Sequence, residues 1–270
     1  MKNLFKLTGF RRYFANTSWL IAEKIIRLAV GLFVGVWVAR FLGPEQFGTL
    51  SYAQAFVGLF GAFATLGMDG IVIKHLVKDD ENRDLLLGTA FTLKLLGAMV
   101  AVIIISIVTV TTSNDNKEVI IITIIASALV FQSLNVIDFY FQSIVLSRYI
   151  VIVNLISQLV VSLIRIALIL AEAPLITFAY VILFDAVILA VGYIYVYKHK
   201  NLSFRQWNFN KQTASELLKY SWPLAISGIV ISIYMKIDQI MIKEMLGKTS
   251  VGHYAAAVKI SEAWYFVTIA

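Results

Sequence analysis

The stretch LLLGTAFTLKLLGAMVAVIIISIVTVT, residues 85–111, holds a single charged side chain, Lys94. It exceeds the ~20 apolar residues with which a helix crosses a ~30 Å hydrocarbon layer. It lacks the alternation of a barrel strand. A backbone in lipid has to satisfy its own hydrogen bonds within the segment, so the run reads as a transmembrane helix. Seven further blocks share its character: 15–39, 46–68, 118–144, 149–171, 174–197, 216–242 and 251–270. The fold class that follows is all-α, a polytopic membrane helical bundle with eight spans.

The bulk numbers agree. Hydrophobic residues make up 60% of the 270, mean hydropathy is +0.83, and 14% of residues are charged. A soluble domain carries about 25% charged residues, so that class is excluded. The net charge of +7 is assigned to basic loops facing anionic lipid rather than to nucleic acid. Without cysteine there is no thiolate chemistry, disulfide or cysteine metal site. His75, His199 and His253 have no metal-ligand spacing. No carboxylate pair, Ser/His/Asp set or HExxH suggests an enzyme. Gly247-Lys248-Thr249 matches the end of a P-loop, but Ile242 stands where its first glycine belongs. No cofactor or metal is implied.

The basic N-terminus leads into an apolar run too long for a signal peptide, and it is read as a retained first helix. Loop charge sets the orientation. Lys2, Lys6, Arg11, Arg12, Lys74, Lys78, Arg83, Arg148, Lys198, Lys200, Arg205 and Lys211 fall on one side, Arg40, Lys117, Lys243 and Lys248 on the other. Twelve cations against four place the N-terminus in the cytoplasm. Trp19 and Trp37, ~27 Å apart along a helix, are spaced as two interfacial anchors.

The polar loop 198–215 divides a six-helix lobe, 1–197, from the start of a second, 216–270. Thr213-Ala-Ser-Glu216 reads as a capping box opening the seventh span, with Pro223 in that helix's first turns. A repeat links the two parts. LGPEQFG (42–48) and LGKTSVG (246–252) share L-G-x-x-x-[FV]-G at a shift of 204 residues, and Ser18-Trp19 and Ser221-Trp222 match at a shift of 203. Six helices separate the copies, so both lobes point the same way, as in a parallel repeat. That repeat implies six helices in the second lobe. The sequence supplies two, so the chain reads as a fragment of a longer protein.

Ionisable groups within spans face the bundle interior or a wet cavity. They are Glu23, Lys24, Arg27, Lys94, Asp138, Arg165, Asp185, Lys236, Asp238, Lys259 and Glu262. Trp19, Glu23, Arg27, Gly31 and Gly35 form one helical stripe, in which Glu23 can pair with Arg27 and the GxxxG admits another backbone. Gln132, Asn135, Asp138 and Gln142 form a polar seam, and Asn154, Gln158, Ser162 and Arg165 form another. Depth along the helices places Arg27, Lys94 and Asp138 in the cytoplasmic half, Asp185 near the middle, and Arg165, Lys236 and Asp238 in the outer half. Simple interhelical pairing competes with function at each of these positions. For Lys24, Lys259 and Glu262, pairing or snorkelling is favoured.

The stretches VARFLGPEQFGTLSYAQAF (38–56), IDFYFQSIVLSRYIVIVNLISQL (137–159), ELLKYSWPLAISGIV (216–230) and KIDQIMIKEMLGKTSVGHYAAAVKISEAWYF (236–266) together resemble the polysaccharide and O-antigen repeat-unit flippases. These belong to the multidrug/oligosaccharidyl-lipid/polysaccharide exporter superfamily. The resemblance implies two six-helix lobes around a cleft. It also implies alternating access and transfer of undecaprenyl-diphosphate-linked oligosaccharides, for O-antigen, capsule or exopolysaccharide, to the periplasmic leaflet of the cell inner membrane. The implied partners are the lipid-linked oligosaccharide, membrane lipid, and a polysaccharide polymerase and chain-length protein. For such a substrate, Arg27, Lys94, Arg165 and Lys236 are the candidate cations for the diphosphate. Glu23, Asn135, Asp138, Gln142, Asn154, Gln158, Asp185 and Asp238 are the candidates for lining the cavity or coupling an ion. The alternatives are a drug/cation antiporter of the same superfamily and a non-transporting fragment. A membrane glycosyltransferase would need a large outer loop, which is lacking.

Overall fold

The computed structural model describes residues 2–79, 82–113 and 115–261, and no strand occurs among them. In chain order the helices are α1 (Lys2–Thr65), α2 (Asp69–Lys78), α3 (Arg83–Thr112), α4 (Asn116–Gln132), α5 (Val136–Ser143), α6 (Arg148–Leu170), α7 (Leu175–His199), α8 (Lys211–Leu246) and α9 (Lys248–Ser261). Short 3₁₀ turns lie at Ser133–Asn135 and Phe204–Gln206.

Among the described residues, six helical runs are long and apolar enough to cross a membrane. The first, Asn16–Lys78, has 63 residues, about three hydrocarbon thicknesses of helix. It breaks at Gly43, whose φ of 69° and ψ of 171° suit a residue without Cβ, with Pro44 resuming the helix. Gly35 and Val38 before the break line the same cavity as Ser51 and Gln54 after it, so α1 is a hairpin of two apolar arms. This gives seven apolar arms where eight spans are expected. The eighth is α9, with 14 described residues, too short for a crossing. The remainder of that expected span, with Glu262, lies outside the described residues.

Three local expectations are corrected. The seventh expected span opens at Lys211 rather than at a capping box on Thr213. Asn210 lies upstream, and its side chain accepts hydrogen bonds from the N–H groups of Gln212 and Thr213 at 2.8 and 3.1 Å. Pro223 therefore sits deep inside α8 rather than in its first turns. The fourth span is interrupted by the 3₁₀ turn, which carries Asn135. The segment 69–78, expected as a basic loop, is helix α2, with Val72 and Leu76 buried.

The first arm of α1 runs parallel to α6. Asn16 bonds Ser147, and seven residues further along both helices Glu23 accepts from Asn154 at 2.8 Å. Apolar packing forms two clusters. One, toward the Gly43 end, gathers Val34, Val38, Leu42, Phe47, Ile105, Ile122, Phe178 and Val251. The other, toward the opposite end, gathers Met68, Leu87, Ile137, Phe141, Tyr197 and Leu217. The loop after α7 is seated on this second cluster. Trp207 Nε1 donates to the Tyr197 hydroxyl at 2.9 Å, and the Asn210 N–H donates to Thr89 Oγ1 at 3.2 Å. Much apolar surface faces outward, including Phe33, Ile107, Leu163 and Tyr195. In water this would be an aggregation liability; in lipid it is the expected exterior.

Candidate functional site

Three sets of polar groups among the described residues bear on function. The first is a seam inside α1–α7. Glu23, buried, faces Arg27 at 3.4 Å and accepts from Asn154. Asn154 in turn accepts from the Tyr193 hydroxyl at 2.9 Å. Asp185 accepts from Ser157 at 2.5 Å, and Asp138 accepts from Gln142 at 2.9 Å. Lys94, also buried, pairs with Asp69 at 2.7 Å and lies 4.5 Å from the centre of the Phe139 ring. Each acid here has a partner, as burial requires.

The second set is a cavity of about 180 Å³ between the two arms of α1 and helices α6, α7, α8 and α9. Among the described residues its charged lining is Arg165, Lys236 and Lys259, joined by Ser51, Gln54 and Gln239, and none of these lining side chains is acidic. Among the described residues, neither Arg165 nor Lys236 has a hydrogen bond or ion pair, and Asp185 acts on Arg165 only through its longer-range field. The Lys259 ammonium is 5.8 Å from the centre of the Phe47 ring. Its side chain fills the space where Gly35 would carry a Cβ, whereas Gly31 faces open space. The glycine stripe thus makes room for a lysine, not for the second backbone that a GxxxG pattern suggests.

The third set closes the Gly43 end. Glu118, 2% exposed, contacts Lys243 and Lys248 at 3.1 Å each, and Asp115 contacts Lys248 at 2.6 Å. Lys243 also lies over the Tyr52 ring at 4.6 Å. The hydrogen bond from Lys248 holds the exposed Asp115 carboxyl below the usual carboxylate range. Burial pulls the Lys248 ammonium down, but its bonds to Asp115 and Glu118 outweigh this and hold it above the usual lysine range.

The expected diphosphate cations are therefore divided. Arg165 and Lys236 meet in the cavity, while Arg27 is half-exposed beside Glu23 and Lys94 is bound to Asp69. Of the expected polar lining, Glu23, Asn154 and Asp185 belong to the seam, and Asp138 and Gln142 bond each other. Asn135 lies in the 3₁₀ turn, and Gln158 is half-buried on α6. Asp238 is bonded by the Tyr254 hydroxyl and is not among the cavity's lining residues. Sequence reasoning passed over Lys259, because a lysine near a helix end usually snorkels. It also passed over Glu118, which sits at the edge of an apolar block, where acids are usually wet. The signal for Lys259 was Gly35, a small residue on another helix whose missing side chain leaves room for it.

Residues 13–267 match the family described as polysaccharide biosynthesis protein. The chain belongs to that family. Its fold is that of transporters in the multidrug/oligosaccharidyl-lipid/polysaccharide exporter superfamily, and it is a multi-pass membrane protein. One similar structure is described as the inward-facing conformation of a multidrug resistance MATE family transporter of the MOP superfamily. It has a TM-score of 0.64 at 16% identity, covering 90% of this chain and 58% of the other. A second, of MATE in complex with MaD3S, has a TM-score of 0.64 at 14% identity, covering 94% and 62%. A third, of MATE in complex with Br-NRF, has a TM-score of 0.57 at 13% identity, covering 95% and 64%. The chain thus spans about three fifths of the length of these transporters. No curated protein matches it.

Proposed function

We propose that this chain forms part of an inner-membrane flippase for lipid-linked oligosaccharides, with an N-terminal lobe (1–197), a linker (198–215) and the start of a second lobe (216–270), and with its N-terminus in the cytoplasm. The observation that carries this reading is that Arg165 and Lys236 face one cavity without a hydrogen bond or ion pair among the described residues. Cations in a low-dielectric space without counter-charges are costly, and they persist where a ligand supplies the charge. A lipid diphosphate brings about two negative charges as strong acceptors, which suits one guanidinium and neighbouring ammoniums. The lipid tail stays in the bilayer, and sugar hydroxyls meet Gln54, Ser51 and Gln239. Alternating access then carries the head group to the periplasmic leaflet.

The test is flipping of a lipid-linked oligosaccharide by the full-length protein in vesicles. The variants Arg165→Ala and Lys236→Ala should each slow it about tenfold or more, the ratio given by ~1.4 kcal/mol of lost charge-assisted bonding. Unchanged flipping in the double variant would overturn the reading.

A drug/cation antiporter is the second reading, favoured by the cluster of acids Glu23, Asp138 and Asp185 in the seam. It requires those acids, rather than the cavity cations, to carry transport. Ethidium efflux that depends on Glu23 and Asp138 but not on Arg165 would select it.

A further inference from the structure

The two copies of the glycine motif clasp each other. Gly43 and Gly247 share one unusual backbone conformation, with φ of 69° and 86° and ψ of 171° and 175°. A Cβ on Gly48 would collide with the Lys248 carbonyl, and a Cβ on Gly252 would collide with the Pro44 carbonyl. The shift of 204 residues that relates the motifs carries Gly48 to Gly252 and Pro44 to Lys248. The two contacts are therefore mates of one another, as at a local two-fold axis, and backbone meets backbone at both. Phe47 and Ser51 flank Gly48, and Ala255 and Lys259 lie one and two turns after Gly252; all four line the cationic cavity. The clasp thus borders that cavity through the residues beside it.

The Asp115, Glu118, Lys243 and Lys248 cluster lies beside this seam and joins α4 to α8 and α9. It has no mate under the same shift, since Lys243 and Lys248 correspond to Ala39 and Pro44. Such a cluster suits a seam that opens. Buried ion pairs gain little net free energy over hydrated ions, because the attraction is offset by lost hydration. Their geometry is nonetheless specific. Apolar contacts would favour the shut state at all times, whereas these charges regain water when the helices part. We propose that this ion cluster, with the Gly48–Gly252 clasp, is the outer gate of the cavity and has to part before an anionic ligand can leave to the outside. The assignment rests on the reading of the cavity as a transport site.

The chain has no cysteine, so Ser51→Cys in the full-length protein gives one label inside the cavity, read in whole cells with a membrane-impermeant thiol reagent. The parent should label slowly from outside. Asp115→Lys should raise the labelling rate about tenfold, the shift that ~1.4 kcal/mol of bias gives a two-state gate. The exchange Asp115→Lys with Lys248→Asp should return it toward the parental rate, and Glu118→Gln should raise it. Asp115 is an exposed position, so its variants still decide the matter if Glu118→Gln fails to accumulate. Rapid labelling of the parent, or equal rates in the parent and in Asp115→Lys, would overturn the gate. Labelling needs no transported substrate. A transport-dead Arg165→Ala variant with parental labelling therefore separates failure of the gate from failure of the substrate reading.

Discussion

The seam around Glu23 and the cavity around Arg165 sit in the same apolar bundle, and each collects a set of polar side chains. In the seam, every acid is answered from within the chain: Glu23 by Arg27 and Asn154, Asp185 by Ser157, Asp138 by Gln142. In the cavity, Arg165 and Lys236 have no hydrogen bond or ion pair among the described residues, and no described acid joins the lining. One set has closed its hydrogen bonds and contributes to the fold. The other holds cations unanswered among the described residues, a cost to stability that a ligand of opposite sign would offset on the proposed reading. Polarity inside a membrane protein is thus no guide to function until its partners are known.

The largest test of this contrast is the pair of substitutions Arg165→Met and Lys236→Met. Together they should reduce flipping about a hundredfold, two tenfold losses of charge-assisted bonding. The melting temperature of the detergent-solubilised protein should stay within the equivalent of about 0.5 kcal/mol, or rise. A large loss of stability would place these cations among the structural ones. Glu23→Ala should do the reverse. It strands the Asn154 amide and the Arg27 charge and should lower stability by about 2 kcal/mol, seen as a lower melting temperature. Tyr193→Phe removes one outer link of the same chain and should cost about 1 kcal/mol. A stability cost from Tyr193→Phe equal to that of Glu23→Ala would mean that the seam behaves as one unit rather than as a string of bonds.

The smallest effect concerns Asp115. Its folded-state carboxyl lies below the ordinary 3.8 because Lys248 bonds the ionised form. A depressed carboxylate pKa contributes stability that is complete above the ordinary value and is lost as pH falls through the folded one. A pH series should therefore show a small loss of thermal stability below pH 3.8 that Asp115→Asn removes. The side chain is 44% exposed, so solvent screens most of this pair.

Much of the fold was legible in advance. Long runs such as 85–111 permit only a helix in lipid, and α3 follows that span within two residues at either end. The glycine motif was legible as a repeat, because Gly43 and Gly247 hold backbone angles that other residues avoid. Boundaries set by local competition were not. Asn210 displaced the expected cap on Thr213, and α2 formed where a basic loop was expected, because Val72 and Leu76 found an apolar cluster to enter.

Composition and apolar run length alone determined that this is a helical membrane protein, since a backbone in hydrocarbon has few ways to satisfy its hydrogen bonds. They also determined which few ionisable residues had to be explained. Which of those pair and which stay open was decided only by the tertiary structure. Lys94 meets Asp69 from a neighbouring helix, whereas Lys236 shares a cavity with Arg165 from about seventy positions earlier in the chain. Ionic interactions depend on distances of a few ångströms between helices, and helical periodicity specifies the face a residue occupies but not the neighbour that face will meet.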